Sequence, residues 1–159
     1  MIGITSYGAY IPLHRLDRAE LFRAWGGILG MSVPGEKAVA GFDEDCVTMA
    51  VEAAIDCMGS VDPKAVDGLF FASTTHPYNE KQSSAIISVA LDLGREIRAA
   101  DFGGSLRAGT IAMASAMDAI KAGSAKRHHG GCRRHTPGSA GRAYGASLRR
   151  RRRCPASGR

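Results

Sequence analysis

Between residues 2 and 122, short β-branched runs alternate with helical repeats, and that alternation restricts the chain to an α/β layered fold. Residues 2–11 are rich in β-branched and aromatic side chains and stop at Pro12, which predicts an opening strand. Asp17 predicts the cap of a first helix, with Glu20 as the acid of a capping box and Leu16 and Leu21 spaced as a hydrophobic staple. A glycine-punctuated loop covers residues 26–41. The second helix, starting near Asp43 or Asp45, carries the clearest period. Val47, Ala50, Val51, Ala54, Ile55 and Met58 share one face, while Asp45, Thr48, Glu52 and Asp56 mark the other. A strand at 68–73, a polar segment at 74–82 and a helix at 83–93 follow, the helix with Ile86, Val89, Ala90 and Leu93 on its apolar side and Gly94 to end it. Residues 97–102 predict another strand. In residues 107–122, Ala, Met and Ile occupy nearly every helical face, which predicts burial all round. Helices packed on a mainly parallel sheet are the expected architecture, and ligands belong at the loops after strand C-termini, here 73–78 and 103–107.

Charge divides the chain at residue 126. The first 126 residues hold all 15 acids and 11 of the 21 Lys and Arg, whereas residues 127–159 hold ten Arg and no acid, so the net charge of +6 comes from the tail. Only Leu148 is a large aliphatic residue there, which is too little for a core. The expectation is therefore an N-terminal half-domain at 1–126 and a basic Arg/Gly-rich tail at 127–159. That tail is expected to be disordered, or frameshifted, because Arg, Ala, Gly, Pro and Ser are what out-of-frame GC-rich DNA encodes. A frameshift requires a Val/Ile-rich continuation in another frame of the gene. The arginines at 149–153 could instead bind phosphates, but Tyr144 alone is available to stack on bases, so nucleic acid is not the expected partner. Cys46, Cys57, Cys132 and Cys154, even with His128, His129 and His135, show no close metal-ligand spacing, so free thiols and no metal are expected. With no run of roughly 18 apolar residues and no signal-like N-terminus, the chain reads as cytoplasmic, with no membrane partner.

Four segments carry a family likeness: residues 6–12, 35–54, 73–78 and 99–110. In order and spacing they resemble hydroxymethylglutaryl-CoA synthase, more narrowly its archaeal and bacterial branch, through about Lys126. The resemblance implies the first half of the thiolase-superfamily fold, shared with β-ketoacyl carrier-protein synthase III. It also implies an acyltransferase that condenses acyl-CoA substrates without a separate cofactor, in homo- or hetero-oligomers of thiolase-type subunits. In such enzymes a cysteine takes an acetyl group from acetyl-CoA, and a glutamate deprotonates that acetyl so that it attacks acetoacetyl-CoA. A later histidine binds the second substrate.

The family's cysteine lies in a segment like Asp-Leu-Glu-Phe-Ala-Cys-Lys-Ala-Gly-Thr. Matching it onto Asp-Phe-Gly-Gly-Ser-Leu-Arg-Ala-Gly-Thr at residues 101–110 puts Leu106 at the nucleophile. The family's Ser-Glu-Ser-His-Pro-Tyr matches residues 73–78 and puts Thr74 at the general base. The histidine of the second half has no counterpart. No catalytic residue is retained, so the expectation is an inactive chain or, alternatively, a non-catalytic acyl-CoA-binding or scaffold subunit. His76 matches the family's histidine-proline-tyrosine and is the candidate for touching substrate; its plainer role is to hold the loop before Pro77. Ser105 is a second candidate for substrate contact or a weak substitute nucleophile, against a plain helix-capping role. Cys46, in the first turn of the second helix, would be acidified by the helix dipole but matches no family nucleophile, and reads as a small buried residue.

Overall fold

The computed structural model describes residues 2–25, 34–125, 127–133 and 143–150, with side chains for the first two segments and backbone for the last two. In chain order the elements are β1 (Ile2–Tyr10), β2 (His14–Asp17), α1 (Arg18–Ala24), β3 (Glu36–Val39), α2 (Cys46–Met58), β4 (Gly68–Ala72), α3 (Ser83–Ala90), β5 (Arg98–Phe102), α4 (Ala108–Ala122), β6 (Arg127–Arg133) and β7 (Ala143–Arg150).

All five residues of β4 are buried, because the strand has a strand neighbour on each edge and a helical layer on each face. Its side chains alternate between the layers. Leu69 and Phe71 join α2 and α3 in one cluster with Val47, Ala50, Ala54 and Ile87. Phe70 and Ala72 turn the other way, onto Ala108, Ala112, Ala116 and Ile120 of α4. Fully burying side chains such as Leu69 and Phe71 stabilises the fold by roughly 1.5–3 kcal/mol each. The chain is therefore an α/β protein with helices on both faces of a sheet, in the order β1-β7-β6-β4-β5. That sheet is mixed: β5, β4 and β6 run parallel, while β7 is antiparallel to both β6 and β1.

Several local expectations shift. The second helix is capped by Asp45, whose carboxylate accepts from the amides of Val47 and Thr48, and Thr48 Oγ1 answers by accepting from the Asp45 amide. Its buried face is wider than the period predicts. Met49, Ala53 and Cys57 are buried while Ile55 is half exposed, because α2 packs on β1 as well as on β4. In α3 the predicted face is displaced. Val89 is 81% exposed, and the residues turned inward are Ser83, Ser84 and Ile87. α4 buries one stripe, with Ile111 and Met113 partly exposed, since it covers a single face of the sheet among the described residues. Residues 14–17 and 36–39, which carry no strand expectation, pair as the antiparallel ribbon β2-β3. Glu20 pairs with Arg23 instead of completing a capping box, so Asp17 alone caps α1.

The expected boundary at residue 126 falls between α4 and β6, yet the sheet runs across it. β6 lies beside β4 with Gly68 opposite His128 and Ala72 opposite Cys132, and β7 joins it to β1. Within the expected tail, the described residues 127–133 and 143–150 pair through the main chain, since every non-proline residue offers one donor and one acceptor whatever its side chain; the rest of the tail lies outside the described residues. The side chains of His128, His129, Cys132 and Tyr144, and the whole of His135, Cys154 and residues 151–153, lie outside the described residues.

The loop that leads into α2 is tied to β1 through Glu44. Its carboxylate accepts from the Gly41 amide at 2.6 Å and from the Tyr10 hydroxyl. The Gly41 amide first, then the Tyr10 hydroxyl, hold the Glu44 carboxyl below its ordinary range, and the bond to Glu44 chiefly raises the Tyr10 phenol. A depressed carboxyl stabilises the fold above its unfolded pKa and loses that contribution as pH falls through the folded value. The raised phenol contributes below its ordinary pKa and loses that contribution only as pH rises through the raised one. Tyr10→Phe should therefore be less stable than wild type in urea at neutral pH, with the gap closing as the medium is acidified below the ordinary glutamate range. A gap independent of pH would refute the link.

Among the described residues, no helix is long and apolar enough to cross a membrane.

Candidate functional site

Parallel pairing of β4 and β5 brings their C-terminal ends together. Ala72 stands opposite Phe102, and the Ser73 amide donates to the Phe102 carbonyl at 3.0 Å. The loops that follow, 73–78 and 103–107, therefore emerge side by side at one end of the sheet, where an α/β fold places its ligands. Thr74 is half-buried at the start of the first loop. Ser73 beneath it is fully buried, and its hydroxyl accepts from the Thr75 amide at 3.1 Å, which fixes the turn.

The second loop turns at Gly104, whose φ of 72° is a left-handed conformation that suits glycine. α4 begins at Ala108, so Ser105 and Leu106 lie in the turn before the helix and not in its first turn. The Ser105 hydroxyl accepts from the Arg107 amide at 3.1 Å, and its carbonyl accepts from the Ala108 amide at 3.1 Å. Among the described residues no side-chain base bonds this hydroxyl, which activation as a nucleophile would require. Leu106 is 64% exposed, an apolar side chain presented outward at the position where the resemblance calls for a thiol.

His76 sits between the two loops. Its ring meets Phe71 edge-on at 5.4 Å, with Nδ1 3.4 Å from Ser83 Oγ and Nε2 3.4 Å from the Phe102 carbonyl. Both ring nitrogens thus face groups of the protein. Gly103 makes the room, since a Cβ there would lie 3.0 Å from Nε2. Cys46 reaches the same region from below: it is 2% exposed and its thiol donates to the Thr75 carbonyl at 3.0 Å. No cluster of three or more metal-ligating side chains occurs among the described residues.

Sequence reasoning missed Asp101. It opens the 101–110 segment, and its side chain leaves the strand to bond the Ser83 and Ser84 amides. The available signal was a pair of serines at the head of an otherwise apolar helix.

Solved structures with this fold include a 3-oxoacyl-(acyl-carrier-protein) synthase III and a HMG-CoA synthase. The 3-oxoacyl-(acyl-carrier-protein) synthase III of Aquifex aeolicus superposes with a TM-score of 0.79 at 17% identity, over 96% of this chain and 55% of that one. PksG, a HMG-CoA synthase from Bacillus subtilis, gives 0.78 at 22% identity, over 93% of this chain and 41% of that one. The fold is thus thiolase-like. No family model matches the sequence. Hydroxymethylglutaryl-CoA synthases of Pyrococcus horikoshii and Archaeoglobus fulgidus are 39% and 38% identical to it over 127 and 132 residues. Each of those alignments covers 79% of this chain. Within the thiolase-like class, the chain is similar to hydroxymethylglutaryl-CoA synthases, and the match fits an N-terminal part of those enzymes. It spans 36% and 38% of their lengths.

Proposed function

We propose that this chain is part of an acyl-CoA condensing acyltransferase of the hydroxymethylglutaryl-CoA synthase type, and that its own site holds an acyl-CoA without capturing the acyl group. The observation that carries this reading is Leu106, 64% exposed in the turn between β5 and α4. A leucine there leaves the thioester nothing to transfer to. Thr74, at the start of the loop after β4, supplies a hydroxyl where proton abstraction next to a carbonyl needs a carboxylate. Ser105 is committed to the Arg107 amide, and Cys46 is enclosed and bonded to Thr75. What remains is a binding surface between two loops, with the C–C bond-forming chemistry removed from this part of the protein.

Incubation with radiolabelled acetyl-CoA separates binding from capture. Saturable binding is expected, with no label surviving denaturation. Label that remains on the denatured chain would overturn the reading, as would the absence of saturable binding.

A further inference from the structure

α3 begins without a cap of its own, since Gln82 at the N-cap makes no side-chain bond to the first turn. The cap comes from β5. Asp101 Oδ2 accepts from the Ser83 amide at 2.6 Å and Oδ1 from the Ser84 amide at 2.8 Å. Both are charge-assisted bonds at the positive end of the helix, where a carboxylate is most favourable. A second tie joins the same elements, the Gln82 amide group donating to the Ala99 carbonyl at 2.8 Å.

His76 spans the elements joined in this way. One ring nitrogen meets Ser83, the first residue of α3, and the other meets Phe102, the last residue of β5. A carbonyl only accepts, so Nε2 carries the proton towards Phe102. In that tautomer Nδ1 is the nitrogen that can accept from the Ser83 hydroxyl. The Asp101 bonds and the Gln82–Ala99 bond together hold the head of α3 against the end of β5, on which the two His76 contacts depend.

We propose that Asp101 is a positioning residue: acting through Ser83, it fixes the orientation and tautomer of His76 and thereby the spacing of the Thr74 loop from the Leu106 turn. The inference deepens the reading of the acyl-CoA site and rests on it for the ligand alone. Asp101→Asn keeps the side-chain shape but turns an amide NH2 towards one of the two backbone donors. In the full chain, long-range nitrogen–proton NMR of the His76 ring should show the Nε2–H tautomer in wild type and a mixture in Asp101→Asn. Hydrogen exchange at the Ser83 and Ser84 amides should accelerate about tenfold or more, as loss of a bond to a charged group implies, and acetyl-CoA should bind about tenfold more weakly.

An unchanged tautomer with unchanged exchange overturns the proposal. Altered NMR with undiminished acetyl-CoA binding overturns its link to the ligand. Altered NMR in a protein that never binds acetyl-CoA leaves the clamp standing and removes the acyl-CoA reading instead. Should Asp101→Asn fail to fold, Ser83→Ala keeps the amide donor and deletes the hydroxyl. It should release the His76 tautomer while the Ser84 amide stays protected, and a retained tautomer there overturns the proposal.

Discussion

Leu106→Cys should convert a chain that carries no acetyl group into one that retains one acetyl per chain after exposure to acetyl-CoA and denaturation, read by intact mass. The expectation follows from the position's surroundings. This position lies in the turn immediately before a 15-residue helix whose first amides have no intrahelical partner, and it adjoins the exposed Arg107. Positive potential of that kind lowers a thiol from about 8.5 to roughly 3.5–7.5 at helix N-termini. Leu106 is 64% exposed, so the replacement removes little packing and the fold should tolerate it. Alkylation with iodoacetamide across a pH series supplies an independent readout, with an inflection expected below the ordinary cysteine value. A thiol that titrates normally and stays unacetylated would show that the junction no longer activates the residue placed in it, and that more than the nucleophile has been lost.

Gly8→Ala should be the most destabilising single-methyl change in the described part of the chain. A Cβ at Gly8 would sit 2.3 Å from the Cys57 nitrogen, 2.5 Å from the Ala53 carbonyl oxygen and 2.8 Å from the Cys57 α-carbon. All three are backbone atoms of one helical turn of α2, so no side chain can swing aside. Relief requires β1 and α2 to separate by about 1 Å, which opens the packing around Met49 and Ala53. Overpacking of this kind costs about 3 kcal/mol, a large part of the 5–15 kcal/mol typical of a domain. Gly3→Ala is the matched control: it lies on the same strand with nothing within 4 Å of its would-be Cβ and should shift stability by no more than about 0.5 kcal/mol. Urea midpoints of the two variants measure the difference, and equal midpoints would refute the close contact.

The legible parts of the fold are those in which one local signal decides the outcome. Asp45 followed by Thr48 and an apolar repeat specifies the start of α2, and the compact run at 68–72 specifies a buried strand. The hidden parts depend on distant partners. Periodicity assigns the inner face of α3 to Ile86 and Val89, but two serines turn inward because their amides meet a carboxylate 17 and 18 residues further on. The same partnership explains why the junction between residues 101 and 110 was legible as a site while Asp101 within it was not. The ribbon β2-β3 went unread because two four-residue strands with α1 between them leave no periodic trace. β6 and β7 went unread because residues 127–133 and 143–150 carry neither a hydrophobic alternation nor a β-branched run, and backbone pairing requires neither.

Strand order gives the segment after residue 126 a mechanical role. β1 at one edge and the β4-β5 pair at the other meet in the sheet only through β7 and β6. Among the routes by which tension on the amino terminus reaches the site loops, two differ in kind: the glycine contact with α2, and the eight paired positions between β1 and β7. The first route depends on the absence of one methyl group. The second is a hydrogen-bonded ladder loaded in shear, whose strength comes from peptide groups and is nearly independent of which amino acids carry them.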